Sequence, residues 1–308
     1  MLELPIENTA VKHADWLELW ALLSPDGTSS AGDLQRTLQR EAIENAPQER
    51  ADRDAQDAIV ELNARVVAGG AAYPFTVAGN LVTRTANPYD RRSLPYNFML
   101  CLSYWGWTSQ RGNPANPRHW FEHLCAQSAR YFLSGETAVM SPPRSAVLGG
   151  SFTDAVASLC ALIGEGGGWK AQPAGWNRVN GGLRPQDDAV DLVAWRHFPD
   201  RQSGKLVMFG QCASGDNWAD KLTELQTGAF CEHWMIEVPP SQIIRGFFVP
   251  HQIPRERWDY SNRYGGLFFD RCRIANQLDG VAPVDNEDLI RAWTESQVED
   301  HAEDEAAA

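Results

Sequence analysis

Asp187, Asp188 and Asp191 stand at the start of the apolar run 191–195, and Gln211 closes a second apolar run, 206–212. Runs of this length and composition predict two buried strands. Carboxylate and amide oxygens at the ends of paired strands are hard donors of the kind that hold Mg²⁺. A bound Mg²⁺ polarises a phosphate and activates a water, and a nearby lysine stabilises the charge that develops. The chemistry that these residue types suit is hydrolysis of a phosphodiester. Lysine is scarce: of 27 basic residues only Lys12, Lys170, Lys205 and Lys221 are lysines. Lys221 falls on a predicted helix, 217–225, just after the second strand. Lys205 lies at the far end of that strand, ~20 Å from Gln211 at ~3.3 Å per residue. Lys170 comes into play if a strand starting at Trp169 pairs alongside. The same residues also have a purely structural reading. Asp187 and Asp188 then serve a turn, Asp191 caps or pairs with an arginine, Gln211 is a buried amide bonded to backbone, and 214–217 is a turn and N-cap.

The elements that must position these groups follow a pattern that changes near residue 145. Before it the chain reads mainly helical. Residues 13–23 form a short apolar-faced helix ended by Ser24-Pro25-Asp26-Gly27, and 33–45 and 48–67 are charged helices, the second stopped by Gly69-Gly70. Residues 73–85 suit a strand pair around Gly79-Asn80, 97–107 and 117–133 suit buried helices, and Ser141-Pro142-Pro143-Arg144 reads as a linker. After it come a helix over 152–164, with Val156, Leu159, Cys160 and Ile163 on one face, and the glycine cluster 164–168. A strand from Trp169, the strands 191–195 and 206–212, the helix 217–225 and a strand over 243–249 complete the order α, β, β, β, α, β. The class expected is α/β with a mixed sheet. The boundaries expected are a helical domain over 1–143, a second domain over 144–284 and an acidic tail over 285–308.

Phe152, Val156, Leu159, Cys160 and Gly164, then Asp187-Asp188-Ala189-Val190-Asp191, then Gly210-Gln211-Cys212 carry a resemblance. Together they resemble the restriction-endonuclease-like PD-(D/E)xK superfamily, nearest its Mrr-like branch with Gln in the third motif, over roughly residues 145–250. The resemblance implies a restriction-endonuclease-like αβββαβ core and a metal-dependent endonuclease acting on DNA, in defence against foreign DNA and with partner proteins. It implies Mg²⁺ (or Mn²⁺) held by Asp191 and Gln211. Two positions depart from the family pattern. The glutamate expected after Phe152 is Thr153, which leaves Glu165 or Asp154 as the outer carboxylate. The lysine expected two places after Gln211 is Ala213, which leaves Lys221 as the electrostatic partner of the attacking water. The alternative is a degenerate nuclease-fold subunit that binds nucleic acid or partner proteins without cutting.

Other motifs compete. His119-Trp120-Phe121-Glu122-His123 matches H-x-x-E-H, which on a helix sets two histidines one turn apart for zinc. Its apolar neighbours read as a packed amphipathic helix, and no third ligand stands out. Gly150-Ser151-Phe152 lacks the spacing of a nucleophile elbow, 164–168 lacks the Gly-Lys-Ser/Thr of a phosphate loop, and Cys212 suits a buried strand.

The 308 residues carry a net charge of −13, which by itself argues against a nucleic-acid binder. Residues 285–308 hold nine acids against Arg291 alone, so −8 of the −13 sits there and the body carries −5. Just upstream, Arg245, Arg255, Arg257, Arg263, Arg271 and Arg273 interleave with aromatic residues, a composition suited to phosphate contact and base stacking. Trp218, beside the candidate site, is a further nucleic-acid contact expected from position. Six dispersed cysteines without a C-x-x-C pair favour reduced thiols and a cytoplasmic setting. No apolar run approaches ~20 residues, so no membrane span is expected.

Overall fold

The computed structural model describes residues 2–41, 48–106, 116–172, 188–281 and 284–307. In chain order the first elements are α1 (Ala10–Leu23), β1 (Thr28–Ser30), α2 (Ala31–Glu41), α3 (Gln48–Gly69), β2 (Phe75–Ala78), β3 (Leu81–Arg84) and α4 (Leu94–Trp105). Next come α5 (Pro117–Leu133), β4 (Glu136–Val139), α6 (Phe152–Ile163), β5 (Leu192–Arg196), β6 (Leu206–Cys212), α7 (Thr227–Trp234), β7 (Ile243–Phe248), α8 (Arg255–Gly265) and β8 (Leu267–Phe269). The chain ends with α9 (Arg271–Gln277) and α10 (Glu287–Ala307). It is mixed α/β, and no helix among the described residues is long and apolar enough to cross a membrane.

These elements pack as two compact units. One takes the chain up to 117 with 250–255 and everything from 270 onward; the other takes 118–249 with 256–269. The boundaries at 143 and 284 expected from sequence are therefore displaced. The Pro142-Pro143 segment follows directly on a strand of the second unit's sheet and separates nothing. The acidic tail is also not a tail. Ile290, Trp293, Thr294 and Val298 are buried on α10, Trp293 meets Phe98 edge-on at 5.3 Å, and His301 stacks on Trp105 at 3.9 Å. These residues recur three to four apart, an inward-facing stripe that the count of acids hides.

The first unit pairs β1, β3 and β2 in an antiparallel sheet, with the expected hairpin turning at Gly79 (φ +60°). At its centre lies a charge cluster. The Arg65 guanidinium donates to Asp15 at 2.7 Å, Glu18 at 2.8 Å, Glu61 at 3.0 Å and the Val11 carbonyl at 2.8 Å. Arg271 reaches Asp15 at 2.6 Å and lies over the Tyr96 ring at 5.1 Å. The hydroxyls of Tyr73 and Tyr96 both donate to Glu18, at 2.6 and 2.9 Å. Asp15, Glu18, Arg65 and Arg271 are all buried. Burial works to raise the Asp15 carboxyl, but Arg271 and Arg65 outweigh it and hold the group below its ordinary value.

The second unit is built on a five-stranded sheet, β4-β5-β6-β7-β8. β4, β5 and β6 are antiparallel neighbours, while β6, β7 and β8 run parallel. α6 and α7 cover one face, burying Ala155, Val156, Leu159, Phe230 and Trp234 against Val193, Trp195, Val207 and Phe209. Ser151 caps α6 by accepting from Asp154 N–H at 3.0 Å, and Gly164, left-handed at φ +66°, ends it where the sequence predicts.

Two expected elements differ. The strand expected from Trp169 is a single bridge to Met235, and the place beside β5 goes to β4, which precedes α6 in the chain. The expected helix 217–225 is a 3₁₀ turn, Asp216–Lys221, and α7 starts only at Thr227. Trp218, Leu222 and Leu225 do have helical spacing. Arg245 donates to the carbonyls of Leu222 (3.4 Å) and Leu225 (3.2 Å), which fixes the chain between the turn and α7.

Candidate active site

Asp191 and Gln211 meet at one end of the β5–β6 pair. Leu192 pairs with Gly210, and Asp191 N–H donates to the Gly210 carbonyl at 2.9 Å. Asp191 precedes the paired run by one residue and so lies beside the Gly210–Gln211 end of β6. Gln211 shares with Phe209 the face that α6 and α7 cover, while the Asp191 carboxylate meets the Cys212 N–H near Cys125 of α5. The sequence expects both residues at this end of the two strands.

Asp191 is held firmly. Its carbonyl accepts from Met140 and Ser141 N–H, at 2.7 and 3.2 Å, and its Oδ2 accepts from Cys212 N–H at 2.6 Å. The backbone just before it is strained: Asp188 and Ala189 are both left-handed, at φ +51° and +64°. For alanine that conformation costs about 1–2 kcal/mol. Trp234 Nε1–H, donating to Asp188 Oδ2 at 2.6 Å, helps to hold it. Strain maintained beside a carboxylate at a strand end is the pattern of a constrained site.

Gln211 is 4% exposed, and its Oε1 has no hydrogen-bond partner. Its Nε2 donates to Glu224 Oε2 at 2.8 Å, so the amide orientation leaves the oxygen as the unsatisfied atom. A buried acceptor left unmade costs roughly 1–3 kcal/mol. Glu224 escapes a motif-based reading because it belongs to no motif and comes from the irregular segment after β6. Lys221 lies three residues before it and is half-buried, and its carbonyl accepts from Glu224 N–H at 3.0 Å. Arg245, expected on nucleic acid, is instead the residue that holds this segment through Leu222, Leu225 and the Gly265 carbonyl (3.3 Å).

Other expected residues lie elsewhere. Glu165 accepts from Ser241 N–H (3.0 Å) and Oγ–H (2.7 Å) and pairs with buried Lys205 at 3.4 Å. Lys205 precedes the first residue of β6, so Glu165 is at the opposite end of the strand, roughly 20 Å from Gln211 at ~3.3 Å per residue. It closes the start of the parallel β6–β7 pair and is not an outer carboxylate. Asp154 lies at the other end of α6 from Glu165; it is exposed and accepts from Ser151 Oγ at 2.6 Å. Asp187 lies outside the described residues. Trp218 is 9% exposed with its ring 5.7 Å from Phe268, a core contact and not a platform for a base. Arg271 belongs to the buried charge cluster, whereas Arg255, Arg257, Arg263 and Arg273 are exposed. Burial and the neighbouring Cys125, Asp191 and Glu122 push the Cys212 thiol far above its ordinary value, which removes it as a nucleophile.

Burial alone would raise Glu165; the Ser241 hydrogen bonds and Lys205 outweigh it and hold the carboxyl below its ordinary value. A folded pKa below the unfolded one contributes stability above the unfolded value, about 4.3, and loses it as pH falls through the folded value. Glu165→Gln is therefore expected to cost roughly 1–3 kcal/mol at pH 7, and the gap to wild type should narrow as pH falls below about 4.3. Urea melts across that range check it; a gap independent of pH would contradict the assignment.

Among the described residues no three His, Cys, Asp or Glu side chains converge as a metal cage. The oxygens at this site are the Asp191 carboxylate, the orphaned Gln211 amide oxygen and, bonded to that amide, the Glu224 carboxylate. All are hard donors of the type that suits Mg²⁺ or Mn²⁺, and the unsatisfied acceptor fits a cation as its missing partner. Compared with protein-family models, curated proteins and solved structures, the chain matches none.

Proposed function

We propose that this chain is a metal-dependent phosphodiesterase that cleaves DNA. The observation that supports the reading most is Asp191 and Gln211 at the same end of the β5–β6 pair, with a buried amide oxygen lacking a partner. Asp191 and Gln211 would hold Mg²⁺ or Mn²⁺; such an ion polarises the phosphate and activates the attacking water. Glu224 sets the amide orientation and Lys221 supplies positive charge on the same segment. The role we infer is defence against foreign DNA, with partner proteins supplying affinity that a chain of net charge −13 lacks.

The surface best suited to the substrate is on α8. Arg257, Tyr260, Arg263 and Tyr264 recur three to four apart, all exposed, and the two tyrosine rings lie 4.6 Å apart. Arginines neutralise phosphates while the rings offer stacking faces. The Arg257→Ser/Arg263→Ser double variant is expected to weaken DNA binding for every sequence and to lower the salt slope by roughly 2. An unchanged slope would remove α8 from the interface.

The test is plasmid DNA incubated with the purified chain and Mg²⁺, against the same reaction in EDTA and with Asp191→Asn. Cutting that needs Mg²⁺ and Asp191 supports the reading; cutting that survives in Asp191→Asn overturns it. A second reading is a binding subunit of the same kind that does not cut. Ala213 at the family's lysine position and the Cys212 N–H on the Asp191 carboxylate favour it. Retained DNA binding without cleavage of DNA or RNA, partners included, would select it.

A further inference from the structure

His119, Glu122 and His123 on α5 play no part in the phosphodiesterase reading, yet their geometry is specific. The two Nε2 atoms lie 3.0 Å apart, with the rings nearly perpendicular at 79°. The other nitrogen of His119, Nδ1, is 3.2 Å from Glu122 Oε2, and the same oxygen accepts from Ser141 Oγ at 2.5 Å. Glu122 is 9% exposed, so a buried carboxylate, held by a hydroxyl from outside the helix, fixes the His119 ring from behind. A neutral His119 that donates Nδ1–H to Glu122 presents an unprotonated Nε2 toward the point where His123 Nε2 also converges.

We propose that His119 and His123 form a binding site for a transition-metal ion of the Zn²⁺ class. Two nitrogens bound to one tetrahedral ion at ~2.0–2.1 Å stand about 3.3 Å apart, a few tenths of an ångström beyond the separation here. The carboxylate behind the imidazole is the usual second layer of such sites: it sets the tautomer and raises the basicity of the ligand. Imidazole donors favour Zn²⁺, Co²⁺, Ni²⁺ or Cu²⁺ over Mg²⁺, so the ion differs in class from the one suited to Asp191 and Gln211. The site has two protein ligands, short of the three of a zinc hydrolase, and the inference is of binding alone. Without metal, the same geometry is one hydrogen bond from His123 Nε2–H to His119 Nε2.

The experiment is Co²⁺ titration of the full chain followed by visible absorption, with Zn²⁺ as competitor. One equivalent per chain is expected, displaced by Zn²⁺ and lost in His119→Ala and in His123→Ala. Glu122→Gln should weaken binding about 10–100-fold. Imidazole ¹⁵N shifts of the wild-type chain give a readout that needs no variant: Zn²⁺ should move the Nε2 resonances of these two histidines. Absence of Co²⁺ absorption, unmoved Nε2 resonances, or binding unchanged in both well-folded histidine variants would overturn the proposal. None of these readouts depends on DNA cleavage, so this site and the phosphodiesterase reading stand or fall separately.

Discussion

Arg65→Ala is expected to destabilise the first unit by about 3–5 kcal/mol. The guanidinium bonds Asp15, Glu18, Glu61 and the Val11 carbonyl at once, and its removal leaves two buried carboxylates with Arg271 still paired to them. Breaking a buried pair from one side is costly because the surviving charge stays desolvated. Against a typical total of about 5–15 kcal/mol such a loss is large. Arg65→Lys should recover little, since a single ammonium cannot reproduce a planar fork that meets four acceptors. Urea unfolding followed by tryptophan fluorescence checks this, with Trp16 and Trp293 buried in that unit. A loss below about 1 kcal/mol, the scale of an exposed pair, would show that the cluster contributes specificity and not stability.

The second large effect is on chemistry. Asp191→Asn is expected to lower the Mg²⁺-dependent cleavage rate at least a hundred- to a thousand-fold, the order seen when a single charge-stabilising group is removed. Asparagine keeps an oxygen where Cys212 N–H donates, and the backbone bonds to Met140, Ser141 and Gly210 do not involve the side chain. The melting temperature should therefore change by only a few degrees while activity falls. That split separates a metal ligand from a structural cap. A capping aspartate would show the reverse, a clear loss of stability with cleavage intact. Gln211→Leu provides a complementary comparison: replacing a buried amide whose oxygen lacks a partner by an apolar side chain should be nearly neutral for stability, yet should remove a donor to the ion.

Much of the second unit was legible in the chain. Helix α6 shows in its apolar face, its Ser151 cap and its Gly164 stop, all local features. Strands β5 and β6 show as apolar runs of the right length. The placement of Asp191 and Gln211 at one end of the pair follows because a hairpin-like antiparallel pair has few registers that keep Val193 and Phe209 facing one core. What was not legible depends on long-range choice. Nothing local says that β4, before α6, takes the place expected for a strand at Trp169. The expected 217–225 helix likewise gives way to a 3₁₀ turn, and the chain after it is held by Arg245 from β7, a contact that no local pattern announces.

Charge divides the same way. Composition alone determined that the chain is acidic, that most of its net charge lies in the last two dozen residues, and that lysine is rare. Only the tertiary structure decided what each charge does. Of the six arginines expected on nucleic acid, Arg271 is sealed with Asp15 and Glu18, Arg245 clamps backbone carbonyls, and Arg257 and Arg263 remain exposed on α8. The acidic end folds into α10, because Ile290, Trp293 and Val298 face inward while Asp288 and Glu299 are exposed. Glu165, expected at the metal site, closes the start of β6, and Glu224, which no motif marks, meets Gln211 at its end. A residue's type fixes which bonds it can make. Which of them it makes depends on partners from 13 to 256 positions distant, and folding alone brings those together.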